Sequence, residues 1–309
     1  MKNASQPGSR QRTCLSGLVQ RLRILRSAGP FLIFCYLLLL PVLPGSCSKI
    51  PPAVAEEPEP PGEPAVDSVS TRLSLSAPGP VKRLDLFIYD SGGTQPLELH
   101  RRLDSLPASL TLMTTAGEKR AVCIANSPRD FNLGALARFD AMQQLAYSFA
   151  DDNPERPVMG AWCETAANNG TLALKPLLCQ VVLASVANTM DGYELLESPR
   201  VRLCDIPDTA EILREQEFRP SELIDKGAWT ELGCDIGYFP QEPRVSLWCY
   251  PNDTPENILG TPRPTLELEC RIRGESCSFE VPLPPLERGS VHEVSITIGG
   301  PGDHRYQIR

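Results

Sequence analysis

The sequence predicts an all-β protein with only minor helical insertions. Proline (31 residues) outnumbers glycine (22) in this chain of 309 residues, and aromatic residues make up only 6%. Most apolar residues stand in short runs, several of which alternate with polar residues, and long helical patterns are few. Frequent proline and short alternating runs are typical of β-sheets that are joined by irregular loops.

The first element along the chain is an apolar run at residues 31–43. It is thirteen residues long, whereas a membrane span needs about 20. All six charged residues before it are basic, and it ends in Leu43-Pro44-Gly45-Ser46-Cys47. This arrangement is typical of a bacterial lipoprotein, so we expect residues 1–46 to be the signal peptide and Cys47 the lipid attachment site. A stop-transfer anchor and an ordinary secretory signal cleaved elsewhere are the alternatives.

Residues 47–69 form the predicted tether. This segment is rich in proline and glutamate and has little to bury, so we expect an extended, solvated chain. Each buried CH₂ of an acyl chain contributes about 0.8 kcal/mol to membrane binding, and a single chain binds only marginally. A multiply acylated Cys47 would therefore hold the protein firmly, and the tether would keep the folded part away from the lipid head groups.

The charge balance excludes several classes of partner. Six of the 30 basic residues and none of the 38 acidic residues precede Cys47, so the remainder carries 24 basic and 38 acidic side chains, a balance of −14. A nucleic-acid-binding protein needs a basic surface, and so does a protein that recognises anionic lipids. Neither class fits this sequence.

The folded part is predicted to comprise an N-terminal β-sandwich domain at 70–168 and a C-terminal one at 169–309. The boundary is expected near the turn-like Ala167-Asn168-Asn169-Gly170. The strands of the first domain are expected at residues 71–76, 81–90, 97–103, 109–113, 120–126 and 158–164.

The strand at residues 81–90 has two apolar faces. Leu84, Leu86 and Ile88 share one face, and Phe87 and Tyr89 share the other, because successive side chains of a strand alternate. Further along, apolar residues recur at intervals of three and four over residues 132–150. This period predicts one amphipathic helix that covers one side or end of the sandwich.

The second domain is predicted to contain further short strands. They are expected at residues 171–176, 178–187, 201–204, 245–250, 265–272, 277–283 and 291–298. Residues 208–243 are too long for an ordinary loop. We therefore expect them to pack on the sandwich or to carry a short helix near Ala210–Glu215.

Eight of the eleven cysteines follow Cys47. An even number outside the cytoplasm permits up to four disulfides. A hairpin with a loop at 272–275 would place Cys270 opposite Cys277, which allows a cross-strand disulfide. Both residues being plain core residues is an equally good interpretation. The absence of a Cys-x-x-Cys pair argues against a zinc site.

The sequence offers little for catalysis. The three histidines are His100, His292 and His304, and none neighbours a serine or cysteine in a nucleophile motif. Gly-x-Ser-x-Gly, His-Glu-x-x-His and Gly-x-x-x-x-Gly-Lys motifs are also absent. We therefore expect neither an enzyme nor a cofactor or metal site.

The order of several short blocks resembles the FimB-type fimbrial anchor family of Bacteroidales. In the second half these blocks are Val201-Arg202-Leu203, Phe218-Arg219-Pro220, Trp248-Cys249-Tyr250-Pro251-Asn252, Pro264–Glu269 and Leu286–Val294. Residues 81–92 resemble the early strand and turn of that family. In the closing strand, Gly289 and His292 depart from the Asn-x-x-Tyr that usually follows the arginine.

This resemblance implies two tandem transthyretin-like β-sandwich domains in a lipoprotein at the base of a type V pilus. Subunits of such pili join by donating a β-strand into the sheet of a partner. Only the polar residues 299–309 follow the closing strand, which makes a poor donor and favours an anchor over a stalk subunit. Removal of the strand at 71–76 by cleavage after Arg72 would open a groove, as proteolysis does in stalk relatives, but in an anchor we expect this strand to stay.

Together these features predict an outer-membrane lipoprotein that anchors a fimbria or ends its assembly. Its expected partners are a fimbrial stalk subunit, through strand donation, and membrane lipid, through Cys47. A surface glycan- or ligand-binding lipoprotein, for which exposed aromatic residues on one platform would be evidence, is one alternative. A pilus tip adhesin and an extracellular hydrolase are the others.

Overall fold

In a computed structural model of the chain, 55% of the described residues lie in strands and 3% in helices. The structure describes residues 67–309 except 219, 221 and 255–261. The all-β class predicted from the sequence is confirmed. The predicted signal peptide, Cys47 and nearly all of the tether lie outside the described residues.

The first half of the described chain forms two sheets. Their strands, together with β6, are β1 (Ser68–Ser76), β2 (Leu84–Asp90), β3 (Leu97–Leu103), β4 (Ser109–Thr115), β5 (Lys119–Ala125), β6 (Ala146–Ser148), β7 (Met159–Glu164), β8 (Asn169–Ala173) and β9 (Lys175–Pro176). One sheet has the order β4-β1-β8, and the other has the order β3-β2-β5-β7-β9. An apolar core of inward-facing side chains from both sheets lies between them.

Strand β2 is buried on both faces, as its sequence predicts. Leu84, Leu86 and Ile88 belong to the core between the two sheets. Phe87 and Tyr89 face the opposite way, into a second apolar cluster that covers the outer face of the sheet. The segment 126–158 contributes five buried side chains to this cluster, which are Leu136, Phe139, Met142, Tyr147 and Val158.

The long helix predicted at residues 132–150 is wrong. The structure has one short helix, α1 (Phe139–Gln143), followed by β6 and a single 3₁₀ turn at Phe149–Asp151. Strand β6 pairs with β12 (Thr209–Glu211), where the sequence suggested a second short helix. The spacing of apolar residues at 132–150 indicates which side chains cover the sheet. The backbone conformation depends instead on the pairing of β6 with the distant strand β12.

The second half of the described chain forms two further sheets. Their strands are β10 (Cys179–Asn188), β11 (Glu197–Pro207), β13 (Leu223–Lys226), β14 (Thr230–Glu231), β15 (Val245–Cys249), β16 (Thr265–Ile272), β17 (Glu275–Pro282), β18 (Val291–Gly300) and β19 (Asp303–Ile308). The orders are β15-β10-β18-β19 and β13-β11-β16-β17, with β14 also paired to β11. A third apolar core lies between these sheets.

The C-terminal tail is a strand rather than a free end. A turn at Pro301-Gly302, in which Gly302 has a φ of +77°, sends β19 back along β18. The two strands pair antiparallel from Val294 opposite Ile308 to Gly300 opposite Asp303. The tail therefore occupies the edge of its own sheet.

The division into two domains stays a proposal. Strands β8 and β9 follow the predicted boundary at residue 168, yet they pair with β1 and β7 of the first half. We therefore place the division after Pro176, between β9 and β10.

Arg288 joins the two halves through backbone carbonyls. Its buried guanidinium donates from Nη2 to the oxygens of Gly160 (2.9 Å) and Lys175 (2.8 Å), and from Nη1 to that of Ile212 (2.6 Å). Burial lowers its pKa to about 10, partly offset by Glu215, so the side chain stays a cation at neutral pH. These bonds tie the loop before β18 to strands β7 and β9.

Candidate functional site

Strand β1 is the central strand of its sheet. It pairs antiparallel with β4, from Ser68 opposite Thr115 to Ser74 opposite Ser109. On its other side it pairs parallel with β8, from Arg72 opposite Asn169 to Ser76 opposite Ala173. The first strand of the described residues therefore lies in the middle of a sheet.

The inward face of β1 fills an apolar groove between β4 and β8. Leu73 and Leu75 are buried in the core, and the hydroxyl oxygen of Thr71 lies 2.8 Å from that of Thr114. The packing is tight, because a Cβ added to Gly170 in β8 would lie 2.9 Å from Leu73 Cδ2. Loss of β1 would uncover this groove and leave the facing edges of β4 and β8 unpaired.

Arg72 itself is exposed but lies within the paired part of β1. Its backbone N–H donates to the carbonyl of Asn168 at 2.8 Å. A protease that cuts after Arg72 needs an extended, accessible chain, so β1 would have to leave the sheet locally before cleavage. The fold therefore protects the peptide bond after Arg72.

A buried lysine that carries no sequence signal fastens the end of β4. Lys119 opens β5, and its Nζ lies 2.9 Å from Oε2 of Glu98 in β3. Nζ also donates to the hydroxyl of Thr115, the last residue of β4, and Glu98 accepts from the backbone N–H of Thr115. These contacts tie the outer end of the groove to the neighbouring sheet.

Strand β19 at the opposite end of the chain is held very differently. Most of its side chains are exposed, including Arg305 and Tyr306. His304 lies against Phe279, with ring centroids 5.5 Å apart, and Ile308 packs at the margin of the core. Main-chain hydrogen bonds to β18 therefore provide most of its attachment, whereas β1 is also held by buried side chains.

The structure places Cys277 directly opposite Cys270 in the hairpin of β16 and β17, as predicted. No disulfide joins any of the eight described cysteines in this structure. Cys270 is buried, and burial raises its pKa to about 12. The predicted disulfide between them stays a prediction.

The three histidines lie apart and each has a hydrogen-bonding partner. His100 Nε2 lies 2.9 Å from Oδ1 of the buried Asp85, His292 contacts Ser290, and His304 contacts the carbonyl of Glu280. No group of three or more potential metal ligands occurs among the described residues. In the same part of the chain, no helix is both long and apolar enough to span a membrane.

The charged cluster around Asp85 is the most elaborate polar arrangement in the first half. Asp85 accepts from Nε of Arg83 (2.8 Å) and Nε of Arg102 (2.9 Å) in addition to His100. Burial raises the pKa of Asp85, but the hydrogen bonds from Arg83, Arg102 and His100 outweigh it and leave the pKa below its ordinary value. The carboxylate thus has its partners within the fold, and the cluster is a structural support.

Solved structures share the fold of this chain. One is a Parabacteroides distasonis protein assigned to cell adhesion, with a TM-score of 0.61, 11% identity and coverage of 78% of this chain and 95% of that one. A fimbrilin of Porphyromonas gingivalis has a TM-score of 0.54 at 10% identity, over 75% and 90% of the two chains. The tip fimbrial protein Mfa3 of the same organism has a TM-score of 0.51 at 12% identity, over 78% and 99%.

No protein-family model matches the sequence, and no curated protein does so either. At 10–12% identity the structural likeness concerns the fold alone. The chain thus has the all-β fold of the Bacteroidales fimbrial and cell-adhesion proteins, in agreement with the resemblance found in its sequence.

Proposed function

We propose that the chain is a non-enzymatic, lipid-anchored fimbrial subunit of the outer membrane that anchors a fimbria and ends its assembly. The observation that carries this proposal is the position of β1. The strand that follows the predicted lipid attachment site is also the strand that fills the groove between β4 and β8. Cys47 and the core of the first half are thus connected by one continuous segment.

This connection makes anchoring and termination two consequences of one arrangement. A donated strand binds by pairing with unpaired sheet edges and placing alternate side chains in the core. In this chain β1 already occupies both edges, so no donor strand can enter. Cleavage after Arg72 would open the groove, but it would also separate the lipid from the folded part. An anchored chain therefore has to keep β1.

Attachment to a stalk subunit would then use the second half of the chain. Strand β19 is polar and would bury little in the groove of a partner, which makes it a weak donor. When β19 moves aside, however, the main-chain groups of β18 are free along one side. We propose that a strand of the stalk subunit replaces β19 at this edge.

Cell fractionation tests the anchor. Wild-type protein is expected in the outer membrane with an acylated N-terminal Cys47, and the variant Cys47→Ala is expected in the soluble fraction. Cys35→Ala, within the leader, is the matched control and should leave the location unchanged. Membrane-bound Cys47→Ala protein, or a mature chain that starts at Leu73, would contradict the proposal.

A cross-strand lock tests the contact with the stalk. Ser295 in β18 lies opposite Gln307 in β19, so Ser295→Cys with Gln307→Cys would hold β19 in place once oxidised. We expect co-purification of the stalk subunit to fall in the oxidised double variant and to return with reductant. A lock between Arg271 and Ser276, which face each other in β16 and β17, is the control. Unchanged co-purification with locked β19 would exclude the exchange at β18.

A pilus tip adhesin is the second candidate, because the chain displays exposed aromatic side chains. The discriminating result is the location of the mature protein within isolated fimbriae. An adhesin would be found at the fibre tip without a lipid, whereas an anchor would remain at the membrane when fibres are sheared away.

A further inference from the structure

Two loops of the second half carry an exposed apolar patch. Its members are Tyr193, exposed at 90% of its surface, Phe239 at 76%, Tyr238 at 68% and Leu195 at 46%. We call these four side chains the aromatic patch. Large apolar side chains clustered in water are unusual on a soluble surface and mark sites of interaction.

The two loops are joined next to the patch. Leu196 and Ile236 exchange two backbone hydrogen bonds of 2.9 and 3.0 Å, which bring the loop with Tyr193 beside the loop with Tyr238 and Phe239. The contact continues one residue further, because a Cβ added to Gly237 would lie 3.4 Å from Leu195 Cδ2.

The buried side-chain amide of Asn188 holds the same two loops together. Asn188, at the end of β10, donates from Nδ2 to the carbonyls of Glu194 (2.7 Å) and Ile236 (3.3 Å), and its Oδ1 accepts from the backbone of Met190 at 3.0 Å. Gln241 exchanges two further backbone bonds, both 2.9 Å, with Val186. The loops therefore hold the rings on a defined frame, which lowers the entropy cost of binding a ligand.

The surroundings of the patch are polar and acidic. Asp191, Asp235 and Glu242 are exposed in the same two loops. Glu194 is paired with Arg273, and Arg244 lies 3.9 Å from Glu242. An acidic rim is unfavourable for an anionic lipid surface. Carboxylates and tyrosine hydroxyls are, in contrast, good hydrogen-bonding partners for the hydroxyl groups of a neutral ligand.

The size of the patch limits the kind of partner. A stable protein interface uses about 20–30 residues on each side, whereas this patch has four apolar side chains. The rings of Tyr238 and Phe239 have centroids 5.8 Å apart and are nearly perpendicular, at 82°. Both side chains are largely exposed, and the apolar C–H face of a sugar unit can stack on the face of an aromatic ring.

We infer that the aromatic patch binds a neutral oligosaccharide. The C–H faces of its sugar rings lie on Tyr193, Tyr238 and Phe239, and its hydroxyl groups bond to the acidic rim. This inference does not depend on the anchor role, because the same surface would serve a tip adhesin.

Binding of the purified full chain to immobilised oligosaccharides of glucose, galactose, mannose and N-acetylglucosamine tests the inference. We expect saturable binding to at least one of them. Tyr238→Ala and Phe239→Ala are each expected to weaken it by about tenfold or more. Tyr238→Trp should retain binding because a ring remains. Raising salt from about 0.1 to 0.5 M should change little, since a neutral ligand is not attracted through screened charges.

Exposed apolar residues elsewhere provide the matched controls. Met113→Ala in β4 and Tyr306→Ala in β19 remove side chains that are also exposed, and both should leave oligosaccharide binding unchanged. The inference would be overturned if the wild-type protein bound none of the four series of oligosaccharides, or if the patch variants bound them as well as wild type does. It would also be overturned if the patch variants lost the stalk subunit while their oligosaccharide binding stayed intact.

Discussion

The Nη2 atom of Arg288 donates a hydrogen bond of 2.9 Å to the carbonyl oxygen of Gly160, although the two residues lie 128 positions apart. Gly160 lies in β7 of the first half, and Arg288 precedes the closing strand of the second half. A side chain at residue 160 would collide with Ile212, because a Cβ there would lie 2.7 Å from Ile212 Cγ1. Arg288, Gly160 and Ile212 thus form a close contact between the halves.

Replacement of Arg288 by methionine should destabilise the protein strongly. The variant removes the donor that Arg288 supplies to the carbonyls of Gly160, Lys175 and Ile212, so we expect a loss of about 3 kcal/mol in the free energy of unfolding. Urea denaturation measures it. Arg271→Met, which removes an exposed arginine, should change the value by less than about 0.5 kcal/mol. Equal effects of the two substitutions would show that Arg288 does not join the halves.

The carboxylate of Asp85 should make stability depend on acid pH. Its pKa is lower in the folded state than the ordinary value, so its contribution is complete above the unfolded pKa of about 4 and is lost as pH falls through the folded pKa. We expect Asp85→Asn to cost about 3 kcal/mol at pH 7, and the gap to wild type to narrow at lower pH. Denaturation curves across this range measure it.

Asp140→Asn is the control for Asp85. Asp140 is paired with Arg138 on the surface, and exposed pairs contribute about 0–1 kcal/mol. A gap between wild type and Asp85→Asn that stays constant down to low pH would contradict the assignment.

The pair Cys270 and Cys277 should oxidise outside the cytoplasm. Residues directly opposite each other in an antiparallel pair have Cα atoms about 4.5–5.5 Å apart, which falls within the range for a disulfide. Alkylation without reductant followed by peptide mapping should find the two residues linked. If both residues are recovered as alkylated thiols, the disulfide is excluded and the two cysteines are plain core residues.

Asn188 should control the aromatic patch without touching a ligand. Asn188→Leu keeps the approximate size but leaves the carbonyls of Glu194 and Ile236 without this donor. We expect about 2 kcal/mol of destabilisation and weaker oligosaccharide binding by the intact rings. Asn153→Leu, at an exposed position in the first half, should not affect binding. Full affinity in Asn188→Leu would show that the loops need no such support.

Local patterns predicted those features whose cause is local. The alternation of Leu84, Phe87 and their neighbours predicted which side chains lie on each face of β2. The short loop after Ile272 predicted that Cys270 and Cys277 stand opposite each other. The pattern at 132–150 correctly marked residues that cover a sheet, yet it did not predict the backbone. There the pairing of β6 with β12 outweighs helix propensity, and that partner is about 60 positions away in sequence.

The residues of greatest interest had no sequence signal of this kind. Arg288 was noted as part of a resembling block, but its acceptors come from three distant segments. Tyr193 and Tyr238 are unremarkable in the sequence, and the bridge between Leu196 and Ile236 brings their loops together. Lys119 likewise could not be recognised as buried until its partner Glu98 was placed beside it.

By itself the sequence determined the all-β class, the strand faces and the expectation of a lipid-bearing leader, because these depend on composition and on periods of a few residues. Only the tertiary structure decided that β1 is central, that the tail returns as β19, and that the aromatic side chains gather outside the core. Which strands become neighbours and which side chains become buried depends on contacts between distant segments. The free energy of such contacts cannot be inferred from a local sequence pattern.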